Sequence, residues 1–160
     1  MPSRASATAS PTLVIVESPG KIRKIQGFLG PGYKVVATRG HLLGLPAKGY
    51  GFDPEALDAA FEVDYETLAS KAADVRQLRQ AARRAASVIV ATDADREGAA
   101  IGFHALQVLG VDWRTARRAV FFEITRDALR RAVADPQPLD RRLYRAQQAR
   151  RLVDRAVATS

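Results

Sequence analysis

Two short runs, Leu13-Val14-Ile15-Val16 and Val88-Ile89-Val90-Ala91, are apolar at every position, with no polar alternation. A strand that is apolar on both faces belongs in a parallel sheet covered on both sides, because a sheet with one wet face alternates. Helical spacing separates such runs. Ile22, Ile25, Phe28 and Leu29 mark a helix from about Pro19, closed by Gly30-Pro31-Gly32, and Val35-Val36-Ala37-Thr38 reads as a second strand. A helix over about Lys71–Ala86 precedes the run at 88, and another extends from near Arg96 to Gly110. Val120-Phe121-Phe122 reads as a fourth strand, with helices at about Arg126–Ala134 and Pro138–Ala158. This alternation predicts an α/β domain: a sheet of about four strands, mainly parallel, helices on both faces and a C-terminal helix. In such sheets, sites form beyond the carboxyl ends of the strands.

The length, 160 residues, suits about one domain on the usual ~100–200 residues. Residues 1–12, mostly Ser, Ala, Thr and Pro with one charge, read as a disordered tail and not as a secretion signal. A domain is expected over 13–135, with a glycine-rich surface excursion at 39–70, and a separate helical segment over 136–160. Apolar residues make up 47% of the chain, enough to bury a core, yet charges interrupt every run short of the ~18 residues of a membrane span. The chain reads as soluble, with no membrane partner. Without cysteine and with only His41 and His104, disulfides, thiolate sites and histidine-rich zinc sites are excluded, so any bound metal is expected to be hard and oxygen-ligated.

The net charge of +8 is unevenly placed. Residues 111–160 hold twelve arginines against six acids, which either attracts an anionic partner or forms a solvated arginine surface. Neither glycine-lysine segment is a nucleotide motif. Gly20-Lys21 lacks the upstream glycine and following Ser/Thr of a P-loop, and Gly30-Pro31-Gly32 ends a helix where a dinucleotide fingerprint opens one.

The third strand runs directly into Thr92-Asp93-Ala94-Asp95-Arg96-Glu97-Gly98. Three carboxylates in five residues repel one another unless something compensates. Asp93 and Asp95 at i, i+2 extend from one side of a tight turn, and Glu97 on the first helical turn can face the same point. Mg²⁺ needs only one or two direct carboxylates when water and phosphate complete its shell. The competing reading makes Asp93 or Asp95 a helix cap with Glu97 in the favoured first turn. If strands one and three are neighbours, Glu17 lies across the strand ends from Asp93, placed for proton transfer; otherwise Glu17 and Lys21 form an ordinary i, i+4 surface pair.

Val14-Ile15-Val16-Glu17-Ser18-Pro19-Gly20-Lys21, followed by Ala91-Thr92-Asp93-Ala94-Asp95-Arg96-Glu97-Gly98, resembles the Toprim domain of bacterial type IA DNA topoisomerases. Gly40-His41-Leu42, Phe122-Glu123-Ile124-Thr125 and Ala146-Gln147-Gln148-Ala149-Arg150-Arg151 with Asp154-Arg155 extend the resemblance over roughly residues 13–155. The Asp-x-Asp alone is shared with primases, gyrases and small nucleases.

The resemblance implies a Rossmann-like Toprim fold and a Mg²⁺-dependent enzyme that nicks one DNA strand through a phosphotyrosine, passes the other and reseals. It assigns Mg²⁺ to Asp93, Asp95 and Glu97, proton handling to Glu17, and phosphate charge to Lys21, with His41 near the same phosphate. A core histidine is the alternative for His41, and His104 reads as structural. Residues 136–160 become the start of the next domain, with Arg150, Arg151, Asp154 and Arg155 as contacts to DNA, preferably single-stranded. The apolar stripe Leu139, Leu143, Ala146, Val153 and Val157 leaves a solvated arginine helix as the alternative. The resemblance further implies a cytoplasmic, nucleoid-associated protein. Tyr33, Tyr50, Tyr65 and Tyr144 match none of the family's nucleophile motif, so the chain is expected to need the remaining topoisomerase domains and to be inactive alone. A Toprim-type nuclease or primase-like module, or a non-catalytic DNA-binding remnant, are the rival readings.

Overall fold

Alternate residues of the first strand enter two different cores. Leu13 and Ile15 pack with Val36, Leu42, Val75, Leu78, Ala105 and Val108. Val14 and Val16 pack with Ile25, Leu29, Val35, Ile89 and Leu129 on the opposite face. The unbroken apolar run thus reflects a strand covered on both sides.

The computed structural model describes residues 10–44, 66–93, 95–139, 142 and 145. In chain order they form β1 (Thr12–Val16), a 3₁₀ turn (Pro19–Lys21), α1 (Ile22–Leu29) and β2 (Tyr33–Ala37). After β3 (Leu43–Gly44) and β4 (Glu66–Thr67), a 3₁₀ turn (Ala69–Lys71) leads into α2 (Ala72–Arg83). β5 (Ser87–Val90), α3 (Arg96–Leu109), β6 (Arg117–Arg118), α4 (Arg126–Ala134) and β7 (Gln137–Pro138) complete the fold. The main sheet has the order β2-β1-β5-β6-β7, while β3 and β4 make a small antiparallel pair. β1 pairs in parallel with both β2 and β5, with Ile15 opposite Val36 on one side and Val90 on the other. Residues of α1 and α4 pack on one face of the sheet, and those of α2 and α3 on the other. Among the described residues, no helix is long and apolar enough to cross a membrane.

The α/β class and the strand-helix alternation are as expected, with three corrections. Five strands form the sheet, not about four, because β7 adds an antiparallel edge to β6. The fourth parallel strand is Arg117–Arg118, not Val120–Phe122. Residues 120–122 are apolar for a different reason: Phe121 packs on the core and Phe122 stands in solvent. Pro138, expected to open a helix, lies in the edge strand, where a residue without an N–H is tolerated. Arg142 and Arg145 have helical backbone; the remainder of the expected 136–160 helix after Leu139 lies outside the described residues, as do residues 1–9 and most of the 39–70 excursion.

One side chain ties the end of α1 to β2. Gln26 Nε2 donates to the carbonyls of Gly30 (3.0 Å) and Tyr33 (2.6 Å), and Gln26 Oε1 accepts from the Val35 N–H (2.9 Å). Since β2 flanks β1, this bracket fixes the loop that returns the chain to the sheet.

Candidate active site

The parallel pairing of β1 and β5 ends both strands at the same level, so the residues that follow them meet. The Ala91 N–H still donates to the Ile15 carbonyl (2.7 Å). Two residues on, the ladder gives way to a side chain: the Asp93 N–H donates to Glu17 Oε1 at 2.7 Å. The expected placement of Glu17 opposite Asp93 is therefore present.

The acidic turn is built from the backbone up. Thr92, buried, donates its Oγ1 proton to the Gly98 carbonyl (2.7 Å), and the Gly98 N–H donates to Asp95 Oδ1 (2.6 Å). Asp95 is thus the N-cap of α3, with Glu97 in its first turn. The capping reading holds for Asp95, at the expense of one of its two carboxylate oxygens. The turn closes so tightly that a Cβ on Gly98 would stand 2.0 Å from the Asp93 carbonyl oxygen, which requires glycine there.

A cavity of about 350 Å³ opens beside this turn, lined by Lys21, Thr92, Asp93, Asp95, Val120 and Phe122 among others. Lys21 ends the 3₁₀ turn that follows Glu17, and brings a cation to the acids. Phe122, 91% exposed, stands at the cavity and shares a second, neighbouring one with Arg131 and Gln137. Its exposure is not signalled by sequence, where it reads as part of an apolar strand.

His41 reaches the site from a different element. Beyond β2 the chain keeps following β1, with the Thr38 and Arg39 N–H groups donating to the Val16 and Glu17 carbonyls (both 2.9 Å). It then turns through two residues with positive φ, Arg39 (60°) and Gly40 (96°). Lys71 Nζ donates to the Arg39 carbonyl, and Asp74 at the start of α2 faces both cations, Arg39 Nε at 3.6 Å and Lys71 Nζ at 3.8 Å. The turn so held brings His41 Nε2 within 3.2 Å of Glu97 Oε1. His41 is half-buried rather than a core histidine; the buried ring is His104, 6.4 Å from it centre to centre. Lys71 and Asp74 carried no sequence signal, since their role depends on α2 docking beside the loop.

Electrostatically the site is acid-rich. Burial pushes the Glu17 carboxyl above the ordinary carboxylate range, the Asp93 N–H pulls it down, and the charges of Asp93, Asp95 and Glu97 push it up again, for a net rise. The donors suit a hard cation: all are oxygens apart from His41, and they concentrate negative charge beside exposed Asp93 and Asp95. Among the described residues, no group of three acidic or histidine side chains is placed together as a metal-ligand set. Arg150, Arg151, Asp154 and Arg155 lie outside the described residues.

Comparison with known proteins identifies the fold. The family profile of the Toprim domain matches residues 12–124. DNA topoisomerase 1 of Campylobacter jejuni is 42% identical over 145 residues, which are 91% of this chain and 20% of that protein. The crystal structure of full-length topoisomerase I from Thermotoga maritima superposes with a TM-score of 0.78 at 37% identity, covering 91% of this chain and 24% of that one. The chain therefore spans about a fifth to a quarter of these relatives. Carrying the Toprim fold from β1 through the segment after β6, with Glu17 and the acidic turn joined at its strand ends, the chain belongs to the Toprim domain family.

Proposed function

We propose that this chain supplies the metal-dependent, phosphate-handling part of the active site of a type IA DNA topoisomerase. The observation that carries the reading is Glu17 held against Asp93, with Lys21 in the cavity that Asp93 and Asp95 line. Asp93, Asp95 and Glu97 would hold Mg²⁺, which, when bound, supplies neutralisation of the charge that builds on phosphate oxygens. Lys21 faces the same charge from the chain's own side. Glu17, whose carboxyl keeps its proton to higher pH than usual, holds or returns a proton at the sugar oxygen of the scissile bond. His41, in contact with Glu97, would stand beside that phosphate. DNA, preferably single-stranded, is the partner, with Arg150, Arg151, Asp154 and Arg155 as its further contacts. The tyrosine that forms the covalent link comes from the remaining topoisomerase domains, since Tyr33, Tyr50, Tyr65 and Tyr144 match no nucleophile motif. As a cytoplasmic, nucleoid-associated protein it would act on supercoiled chromosomal DNA.

The experiment is incubation of the 160-residue polypeptide with supercoiled plasmid and Mg²⁺, alone and with a complementing fragment carrying the tyrosine. Alone, no relaxation and no denaturation-resistant adduct are expected; complementation gives both, and Glu17→Ala abolishes them. Nicking by the polypeptide alone that Glu17→Gln removes would replace this reading with a nuclease.

A further inference from the structure

The face of α2 turned away from the core carries three arginines, only one of which makes a hydrogen bond among the described residues. Val75 and Leu78 are the buried residues of this helix. Arg76, Arg79 and Arg83, at i, i+3 and i+7, share one side of it and line a groove of about 430 Å³ with Gln80. Arg79 and Arg83 continue into a second groove, of about 290 Å³, against Leu109 at the end of α3. Among the described residues no carboxylate pairs with these three arginines. Asp74, the acid of α2, is taken by Arg39 and Lys71. Arg79 Nε is anchored on the Val108 carbonyl (3.2 Å), which fixes its guanidinium at the join of the two grooves.

We propose that this row is a second nucleic-acid contact, a track for the phosphate backbone of a strand passing outside the catalytic cavity. Like charges at i, i+3 and i+4 on one helix face repel, and a polyanion offsets that repulsion. The row begins five residues past Lys71, which holds the His41 loop, so it leads away from the catalytic end of the sheet. Arg76 to Arg83 spans ~10 Å at ~1.5 Å per residue, the length of about three phosphates on one strand of a duplex. An acidic protein partner is disfavoured, because protein interfaces centre on well-packed aromatic as well as arginine anchors and α2 carries no aromatic residue. The exposed large hydrophobics of the described residues are Leu68, Val120 and Phe122, none of them on α2. A phosphate backbone needs only charge. This surface does not depend on the chemistry proposed for the acidic site.

The test is fluorescence anisotropy of labelled single-stranded and duplex oligonucleotides with the 160-residue polypeptide, titrated over a range of salt. The double variant Arg76→Glu/Arg83→Glu, which leaves the anchored Arg79 in place, is expected to weaken binding at least ~fivefold at low salt and to lower the salt slope by about 1.5. Arg76→Lys/Arg83→Lys is expected to stay within about twofold of the parent, since a phosphate track reads charge. The charge-matched variant Lys24→Glu/Lys34→Glu is expected to lose much less. Equal loss in both glutamate variants would reduce the effect to net charge and overturn the proposal. So would a parent-like slope in Arg76→Glu/Arg83→Glu, or no oligonucleotide binding by the parent. Poly-glutamate binding as tight as the oligonucleotide and lost in the same variant would assign the row to an acidic protein and equally overturn it. Cleavage by the parent polypeptide in the complemented assay tests the active-site reading by itself, so failure here is distinguishable from failure of that reading.

Discussion

Glu17 Oε1 accepts the backbone N–H of Asp93 across 2.7 Å, so the residue after one central strand completes the hydrogen bonding of the residue that opens the acidic turn after its neighbour. The contact places a partly buried carboxyl where burial and the charges of Asp93, Asp95 and Glu97 all raise its proton affinity.

Folding raises the proton affinity of Glu17, so its contribution to stability is complete below the ordinary carboxylate range and is lost as pH rises through the raised value. Glu17→Gln keeps an oxygen acceptor for the Asp93 N–H and carries no charge. In chelator, the variant is expected to be as stable as the parent at low pH and more stable at neutral pH. Urea denaturation across that range checks it; a parent that gains on the variant as pH rises contradicts the assignment.

Gly98→Ala is expected to destabilise by at least about 2 kcal/mol, because its Cβ would meet backbone that cannot move without opening the turn. Gly102→Ala should cost less, about 1–2 kcal/mol, since its Cβ would meet side-chain atoms, Val90 Cγ1 at 2.6 Å and Thr92 Oγ1 at 3.2 Å, and not backbone. Thermal unfolding of the two variants gives the order, and the reverse order would show that the turn is not the rigid part.

Gln26→Leu removes three hydrogen bonds and leaves the Gly30 and Tyr33 carbonyls and the Val35 N–H without this partner. A loss of about 2–3 kcal/mol is expected, from several modest net bonds and the groups left behind. Chemical denaturation measures it, and a loss under about 0.5 kcal/mol would mean that water replaces the bracket at no cost.

Lys71→Met is expected to free the Arg39–His41 turn with little effect on global stability, because the half-buried Lys71–Asp74 pair is long, at 3.8 Å, and ion pairs near the surface are worth about 0–1 kcal/mol. The readouts are the His41 ring resonances and amide exchange through residues 39–42. Unchanged resonances would show that Glu97 alone positions His41.

Much of this was legible in the sequence, and what was not has physical causes. The runs at 13–16 and 88–91 announce strands buried on both faces, and adjacency of those strands is what puts Glu17 beside Asp93. Arg117–Arg118 escaped because a two-residue strand has no periodicity, and Arg118 is buried despite its charge. Gln137–Pro138 escaped because an edge strand admits proline. The 3.2 Å His41–Glu97 contact depends on α2 docking beside a distant loop, which local pattern does not encode. Asp95 has both proposed roles in one residue, cap and metal ligand, and sequence alone offered them as alternatives.

The central claim, that the acidic turn holds a divalent cation, is tested most directly by Mn²⁺ titration of the 160-residue polypeptide, followed by water proton relaxation, beside Asp93→Asn/Asp95→Asn. Weak, saturable binding is expected in the parent, strengthened by a single-stranded oligonucleotide that adds phosphate oxygens, and lost in the double variant. Without metal, that variant should be at least as stable as the parent, because like charges are removed. Equal Mn²⁺ binding by the two proteins would contradict the account.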